Sequence, residues 1–168
     1  ENDDLEMNLQ PVDLGQLVKR AVESNAALEP RADVSVTYEP PSSTCMATAD
    51  SALLSRMVGE LLMNAVAHAR HTVRAGVFTD ENGPSIFVED DGPGVQEHAR
   101  ASLYQRFVVR DARGGLGIGL SMVKELLLAQ SGDVRLEKSE LPPGRPGTLG
   151  ARFVLSLPHV AVTPSPGA

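Results

Sequence analysis

The sequence predicts a two-layer α/β sandwich in which one mixed β-sheet carries helices on one face. Predicted helices and strands are interspersed along the 168 residues, which favours a single α/β domain. Several predicted strand pairs are joined by loops too short to hold a crossover helix, so part of the sheet must be antiparallel. With 42% hydrophobic and 22% charged residues, the chain has the composition of a globular protein rather than a disordered or fibrous one.

The first half of the chain predicts two helices and two strands. A helix begins after Asp13, whose side chain suits the N-cap position. Residues 34–38 alternate as a half-buried strand, and we expect a short strand around residues 45–48 to pair with it. Between residues 50 and 69, apolar side chains recur at the spacing of a broad buried helix face.

The second half predicts four strands and a further helix. Residues 97–110 have a weak helical pattern, and an apolar helix follows Gly119 and runs to about residue 130. The predicted strands cover residues 72–78, 85–90, 134–137 and 152–157.

Domain organisation follows from where the pattern begins and ends. We expect residues 1–12 to be a linker, residues 13–158 to form the domain, and residues 159–168 to be a disordered tail rich in Pro and small side chains. Because the chain does not begin with Met, we expect it to be a fragment of a longer protein.

Charge and cysteine content exclude several classes of function. A net charge of −7 disfavours non-specific electrostatic binding to nucleic acid. Cys45 is the only cysteine, which excludes an intrachain disulfide and a CxxC metal site and favours a reducing compartment. Since the sequence has neither a membrane-spanning apolar run nor the pattern of a signal peptide, we expect a cytoplasmic location.

A row of polar residues runs along the predicted helix over residues 50–69. Its members are four positions apart: Arg56, Glu60, Asn64 and His68. A solvated helix face would explain such a row. Apolar residues flank it closely, however, so we expect Glu60 and Asn64 to border a cavity, where a carboxylate and an amide oxygen suit Mg²⁺ and its waters.

Asp90 points to the core side of its predicted strand. Alternation places it with Ile86 and Val88, whereas Glu89 and Asp91 face the other way. A buried carboxylate needs hydrogen-bond donors, which an amino-bearing heterocycle would supply. An Asp-Gly turn would explain the same residues. The glycines that follow permit either a sharp turn or a close approach by a flat ring.

Glycines also precede the last predicted helix, in the pattern Gly115-x-Gly117-x-Gly119. Glycines at a helix N-terminus let main-chain N–H groups converge on an anion. The spacing matches neither a P-loop nor a dinucleotide fingerprint. Arginines in the preceding segment suit polyphosphate, although a solvated loop would explain them as well.

Four segments in this order resemble the ATP-binding catalytic domain of bacterial sensor histidine kinases. They are Glu60-Leu-Leu-Met-Asn64-Ala, Asp90-Asp-Gly92-Pro-Gly94, Leu103-Tyr-Gln-Arg-Phe107 and Gly115-Leu-Gly117-Ile-Gly119-Leu. The resemblance covers roughly residues 9–158 and implies the GHKL-type α/β sandwich. It implies that ATP and Mg²⁺ are bound.

The resemblance also implies roles for individual residues. Asn64 would ligate Mg²⁺ with Glu60 beside it, and Asp90 would accept from the adenine amino group. Gly92 and Gly94 would lie against the ring. Residues 95–114 would form an ATP lid. Phe107 would be its anchor, and Arg106 and Arg110 are candidates to reach the γ-phosphate. The phosphates would lie on Gly115, Leu116, Gly117, Ile118, Gly119 and Leu120.

Some positions depart from the common pattern of the family. Glu60 stands where many of these kinases have Asn, and it could act as a general base. Ala67 replaces a Lys that often neutralises phosphate, which leaves the catalytic rate open. The pattern of a phosphoacceptor helix surrounds none of the four histidines. The resemblance therefore implies a partner domain that dimerises and carries the acceptor His, a cognate response regulator, and a monomeric fragment.

Two other interpretations compete with a histidine kinase domain. An anti-sigma-factor-like serine kinase of the same superfamily carries Glu at the position of Glu60. A non-catalytic module that binds nucleotide would tolerate the changes at Glu60 and Ala67. Phosphoryl transfer in trans to an isolated acceptor domain distinguishes this module from a kinase.

Overall fold

A computed structural model of the chain describes residues 6–27, 31–100 and 118–160. Seven strands lie within these residues: Gln10–Asp13 (β1), Ser35–Glu39 (β2), Met46–Ala49 (β3), Thr72–Asp80 (β4), Gly83–Asp90 (β5), Asp133–Lys138 (β6) and Ala151–Ser156 (β7). Four helices lie within them: Leu14–Ala27 (α1), Ser51–His68 (α2), Glu97–Arg100 (α3) and Ile118–Ala129 (α4).

The main sheet has five strands in the order β2-β4-β5-β7-β6. β2 is parallel to β4, and the other neighbours are antiparallel. Helices α1, α2 and α4 pack against the sheet, and the apolar side chains between these two layers form one core. This confirms the predicted mixed sheet with helices on one face.

The pairing of β3 differs from the prediction. It forms a two-stranded antiparallel ribbon with β1, in which Val12 pairs with Ala47, whereas β2 joins the main sheet beside β4. Local pattern predicts that a strand exists but not which strand it pairs with. The ribbon also takes up residues 10–12, the last three of the segment expected to be a linker.

Helix α2 is the central helix of the core. Asp50 caps its N-terminus, where Oδ1 accepts a hydrogen bond from the Leu53 N–H at 3.1 Å. At the other end the Arg31 guanidinium donates to the Ala69 carbonyl at 2.9 Å. The buried face contains Leu54, Met57, Val58, Leu61, Leu62, Ala65 and Val66. Capping and burial together fix the direction in which the polar row of α2 points.

Helices α2 and α4 run in opposite directions. The main-chain N–H of Asp50, just before α2, donates to Oε1 of Gln130, just after α4, at 2.8 Å. Because the two helices pack against each other, the first turn of α4 points toward the half of α2 that carries Asn64. The helix patterns predicted for residues 50–69 and beyond Gly119 are confirmed. In the part of the chain that the structure describes, no helix has the length and hydropathy needed to cross a bilayer.

Candidate functional site

A cavity of about 260 Å³ lies between the C-terminal half of α2, the end of β5 and the start of β7. Its lining residues are Asn64, His68, Asp90, Gly94, Val95, Gln96, Ala99, Ala151 and Phe153. Asn64 and Asp90, which belong to two separate sequence motifs, thus meet in one cavity. Polar groups enter it from α2 and β5, and its remaining walls are mostly apolar, as is typical of small-molecule sites.

Asp90 lies on the core side of β5, as predicted, and is only 3% exposed. Its Oδ1 accepts a hydrogen bond from the Gly92 N–H at 2.8 Å. Burial raises the pKa of Asp90 to about 6, although the main-chain N–H groups of Gly92 and Ala151 act in the opposite direction. A buried carboxylate with spare acceptor capacity can receive a hydrogen bond from an amino group in the cavity.

Asp91 serves the local fold instead. Its Oδ1 accepts from the main-chain N–H groups of Arg70, His71 and Thr72 at 2.9, 2.9 and 3.0 Å. Burial raises the pKa of Asp91, but these N–H groups outweigh it and the net effect is a lower pKa. The two neighbouring carboxylates therefore have different roles. Asp91 holds the main chain of residues 70–72. Asp90 makes the turn bond to the Gly92 N–H and also lines the cavity, where its carboxylate can accept from a ligand.

Gly92 and Gly94 are required by close approaches within the protein itself. A Cβ at Gly92 would lie 2.2 Å from the carbonyl oxygen of His68, and one at Gly94 would lie 2.3 Å from that of Leu149. Gly94 also has a φ of +74°, which other residues rarely adopt. Gly94 lines the cavity, whereas Gly92 is not among its lining residues. The contact that the resemblance implies between Gly92 and a ring remains a prediction.

The polar row of α2 meets the cavity in its C-terminal half. Asn64 and His68 line it, whereas Glu60, one turn earlier, does not. Within residues 6–27, 31–100 and 118–160, three or more His, Cys, Asp or Glu side chains nowhere converge as a metal site would require. A cation bound by Asn64 and Glu60 would therefore need further oxygens from a ligand or water.

The predicted phosphate-binding segment is described only in part. Ile118 and Gly119 are the first residues of α4, and the Leu120 side chain is buried in the core. Leu120 can therefore reach a ligand only through its main chain. The other predicted residues of the lid and the glycine segment lie outside the described residues: Arg106, Phe107, Arg110, Gly115, Leu116 and Gly117.

Several cavity residues were not predicted as site residues. Ala151 and Phe153 belong to β7, and Phe153 pairs with Val88 of β5, so both line the same side of the sheet as Asp90. Alternation along β7 predicts that Ala151 and Phe153 share one face of the sheet. It identifies that face as the one facing the cavity only when β5 is known to be the neighbouring strand. Val95, Gln96 and Ala99 follow the glycine turn and fall within residues 95–114, which the resemblance assigns to the lid, but none of the three was predicted as an individual site residue.

Glu89 is a buried polar residue whose burial the sequence did not predict. Its side chain is fully buried on the other face of the sheet and accepts from Nε of Arg74 at 2.7 Å. It also accepts from the Glu140 N–H at 2.9 Å, and Nη1 of Arg152 lies 3.3 Å away. Burial raises the pKa of Glu89, but the hydrogen bonds and the two guanidinium groups outweigh it and lower the pKa overall. This cluster joins β4, β5 and β7 one residue from Asp90.

A larger groove of about 580 Å³ lies along α1 and α2. Its one acidic residue is Asp13, which already accepts from the Gln16 N–H. Small residues of α2, including Ser55 and Gly59, line its other wall. Size alone therefore does not identify the site, whereas the buried carboxylate of Asp90 beside Asn64 does so in the smaller cavity.

Known proteins resemble the chain in sequence and in fold. Residues 49–161 match the family described as histidine kinase-, DNA gyrase B- and HSP90-like ATPase. The sensor-type histidine kinase PrrB of Mycobacterium tuberculosis is 34% identical over 151 residues, which cover 88% of this chain and 32% of PrrB. The chain thus spans about a third of that relative's length.

Two solved structures extend the comparison. The ATP-binding domain of PrrB from Mycobacterium tuberculosis superposes with a TM-score of 0.72 and 30% identity, covering 92% of this chain and 99% of that one. Full-length ShkA in complex with AMPPNP gives a TM-score of 0.76 and 26% identity, covering 94% of this chain and 33% of that one. The chain therefore belongs to the histidine kinase-, DNA gyrase B- and HSP90-like ATPase family, and within it has the fold of a histidine kinase ATP-binding domain.

Proposed function

We propose that this chain binds Mg²⁺-ATP and donates the γ-phosphate to a histidine of a separate dimerisation domain, for signalling to a response regulator. The observation that carries the proposal is the meeting of Asn64 and Asp90 in one cavity, with the start of α4 pointing toward the same end of α2. The relatives are sensor histidine kinases, which favours this activity over a serine kinase.

The adenine ring is proposed to enter the cavity beside Asp90. Its exocyclic amino group would donate to the Asp90 carboxylate, and its faces would contact Gly94 and the apolar side chain of Phe153. A ring that lacked an amino group at this position would leave a buried acceptor without a donor, which is costly. This supports adenine over guanine as the base. The analogue AMPPNP in the ShkA structure is also an adenine nucleotide.

The triphosphate is proposed to extend from the cavity toward the N-terminus of α4. Main-chain N–H groups of Gly115, Gly117 and Gly119 would face the phosphate oxygens, and the helix dipole of α4 favours negative charge at this end. The antiparallel arrangement of α2 and α4 supports this path. We propose Arg106 and Arg110 as further contacts with the γ-phosphate and Phe107 as the anchor of the lid.

Asn64 and Glu60 fit the requirements of a hard cation in part. An amide oxygen and a carboxylate one turn apart on α2 match the oxygen ligands that Mg²⁺ prefers, and phosphate oxygens and water would complete its coordination. Bound there, Mg²⁺ would offset the charge that develops on the phosphates. Asn64 already lines the cavity, so it is our first choice as ligand.

The proposed reaction transfers one phosphoryl group to an imidazole. A ring nitrogen of the acceptor histidine attacks the γ-phosphorus in line, and an N–P bond forms. The bond from the γ-phosphorus to the bridging oxygen breaks, and ADP leaves with that electron pair. The proton lost by the imidazole passes to a base, for which Glu60 is our candidate. The domain itself holds and orients the donor.

The proposal extends to the protein that would contain this domain. We propose that residues 1–9 connect it to the dimerisation domain, that residues 10–158 form the ATP-binding domain, and that residues 159–168 are a tail. The isolated chain would be a monomer, would not bind nucleic acid and would act in the cytoplasm.

Calorimetric titration with ATP and Mg²⁺ tests the nucleotide site. We expect saturable binding by the unmodified chain and a loss of at least about tenfold in affinity for Asp90→Asn, since one hydrogen bond to a charged acceptor is replaced. Asp133→Asn, the same change at an exposed residue outside the cavity, should bind normally. Absence of binding, or equal affinity in all three chains, would overturn the proposed site. Phosphoryl transfer to an isolated dimerisation domain then tests the kinase activity.

A further inference from the structure

Three segments of the chain meet at Asp50, far from the cavity. Oδ2 of Asp50 accepts from the main-chain N–H of Asn8 at 3.0 Å, and Oδ1 accepts from the Leu53 N–H at 3.1 Å. The Asp50 N–H donates to Oε1 of Gln130 at 2.8 Å. We call Asn8, Asp50 and Gln130 the Asp50 junction. It joins the chain that enters the domain to the start of α2 and to the end of α4.

The Asp50 and Gln130 side chains are buried, and each makes two hydrogen bonds. Asp50 is 8% exposed and Gln130 is 2% exposed. The amide group of Gln130 also donates through Nε2 to the Leu126 carbonyl at 3.2 Å. Displacing any one segment would leave a buried donor or acceptor without its partner, which folded proteins avoid. The three segments are therefore expected to move together or to separate in one step.

The junction and the cavity lie at opposite ends of α2. Asn64 and His68 are carried by the far end of α2. Since α4 runs in the opposite direction, its first turn also lies at the far end from Gln130. At the ends that lie away from the proposed nucleotide, α2 and α4 are thus joined through Asp50. Asp50 also holds the entering chain at Asn8.

We propose that the Asp50 junction couples the position of the entering chain at Asn8 to nucleotide occupancy of the cavity. Asp50 and Gln130 are positioning residues that act through α2 and α4. The inference rests on the proposed nucleotide site. Such coupling is reciprocal. If bound nucleotide favours the junction with its hydrogen bonds intact by some factor, breaking those bonds weakens nucleotide binding by the same factor.

Hydrogen exchange at the Asn8 amide measures one side of this coupling. Saturating AMPPNP with Mg²⁺ should slow exchange at Asn8 in the unmodified chain by on the order of 5- to 10-fold. Asp50→Asn retains an oxygen to cap α2 but puts an amide NH₂ where Asn8 needs an acceptor. In this variant the Asn8 amide should exchange quickly with or without nucleotide.

Calorimetry on the same proteins measures the other side. Asp50→Asn should weaken AMPPNP binding by the factor by which AMPPNP slows Asn8 exchange in the unmodified chain. If Asp50 only stabilised the fold, the loss of AMPPNP affinity would not equal the factor by which AMPPNP slows Asn8 exchange. Asp13→Asn is the matched control. It is the same substitution and it keeps an oxygen that can accept from the Gln16 N–H of α1. That hydrogen bond involves neither α2 nor α4. The exchange and affinity of this variant should equal those of the unmodified chain.

A second variant keeps the test decisive if Asp50→Asn does not fold. Gln130→Met has a similar shape but no acceptor for the Asp50 N–H, and it leaves the Asn8 bond to Asp50 in place. It should reduce the effect of AMPPNP on Asn8 exchange. The coupling is refuted if AMPPNP binds to the unmodified chain but leaves Asn8 exchange unchanged. It is also refuted if AMPPNP slows Asn8 exchange in both variants as much as in the unmodified chain. If AMPPNP does not bind, the proposed function itself fails.

Discussion

Asn64 on α2 and Asp90 at the end of β5 line the same cavity, although α2 and β5 are separated in sequence by all of β4. The backbone brings them together because α2 packs across β5. The amide thus lies where a phosphate or cation can be held, and the carboxylate lies where an amino group can donate.

The stability of the nucleotide-free chain should depend on pH through Asp90. Burial raises the pKa of Asp90 from 3.8 to about 6. Between these values the folded chain retains a proton that the unfolded chain has released, so stability falls as pH rises through this window. A shift of about two units corresponds to about 3 kcal/mol. Asp90→Asn should therefore raise the free energy of unfolding by about 2 to 3 kcal/mol at about pH 8 and change it little at about pH 4.

Urea denaturation at the two pH values measures this difference. The same variant should bind ATP poorly, so the residue that recognises the ligand also destabilises the empty site. An equal effect of Asp90→Asn at both pH values would contradict the assignment.

Asn64 should contribute to nucleotide binding only when Mg²⁺ is present. We expect Asn64→Ala to weaken the binding of Mg²⁺-ATP by about tenfold, since an oxygen ligand of the cation is lost. Binding of ATP with a chelator present should change little. Asn82→Ala, an exposed turn residue away from the cavity, is the control for both titrations. A loss of affinity in Asn64→Ala that does not depend on Mg²⁺ would assign Asn64 to the nucleotide itself.

Gly92 and Gly59 should respond in opposite ways to the same substitution. Gly92→Ala places a methyl group against the His68 carbonyl and should lower the free energy of unfolding by at least about 2 kcal/mol. A Cβ at Gly59, inside α2, meets nothing within 4 Å. Gly59→Ala should therefore stabilise the chain by about 0.5 to 1 kcal/mol, the helix propensity difference. Chemical denaturation of both variants measures the pair. An unchanged free energy of unfolding in Gly92→Ala would show that the turn at Gly92 has room for a methyl group, and a loss of stability in Gly59→Ala would contradict the open space at Gly59.

Glu89 and Glu137 both lie beside Arg152 but differ in burial. Glu89→Gln leaves two guanidinium groups without their buried counter-charge and should lower the free energy of unfolding by about 3 kcal/mol. Glu137 is partly exposed, and its Oε2 lies 3.7 Å from Nε of Arg152. Glu137→Gln should cost less than about 1 kcal/mol. Because the pKa of Glu89 is lowered on folding, its contribution is present above the unfolded pKa and is lost as pH falls. Urea titrations at neutral and acidic pH test both statements, and a similar cost for the two variants would contradict them.

Local sequence pattern was sufficient where one element could be interpreted alone. The apolar spacing of residues 50–69 gave α2 and its buried face, and alternation in β5 placed Asp90 with Ile86 and Val88 on the core side. These predictions succeed because the periods of helix and strand are properties of consecutive residues. The family resemblance then connected Asn64 and Asp90 to one ligand.

Only the tertiary structure decided which segments meet. It paired β3 with β1, buried Glu89 between two arginines, used Asp91 to hold residues 70–72, placed Asp90 in the cavity, and joined Asp50 to Gln130. Each outcome depends on contacts between residues far apart in the chain, and their energies depend on neighbours that local pattern does not specify. The sequence by itself therefore determined the elements and the chemical groups available. Packing determined which of those groups face one another.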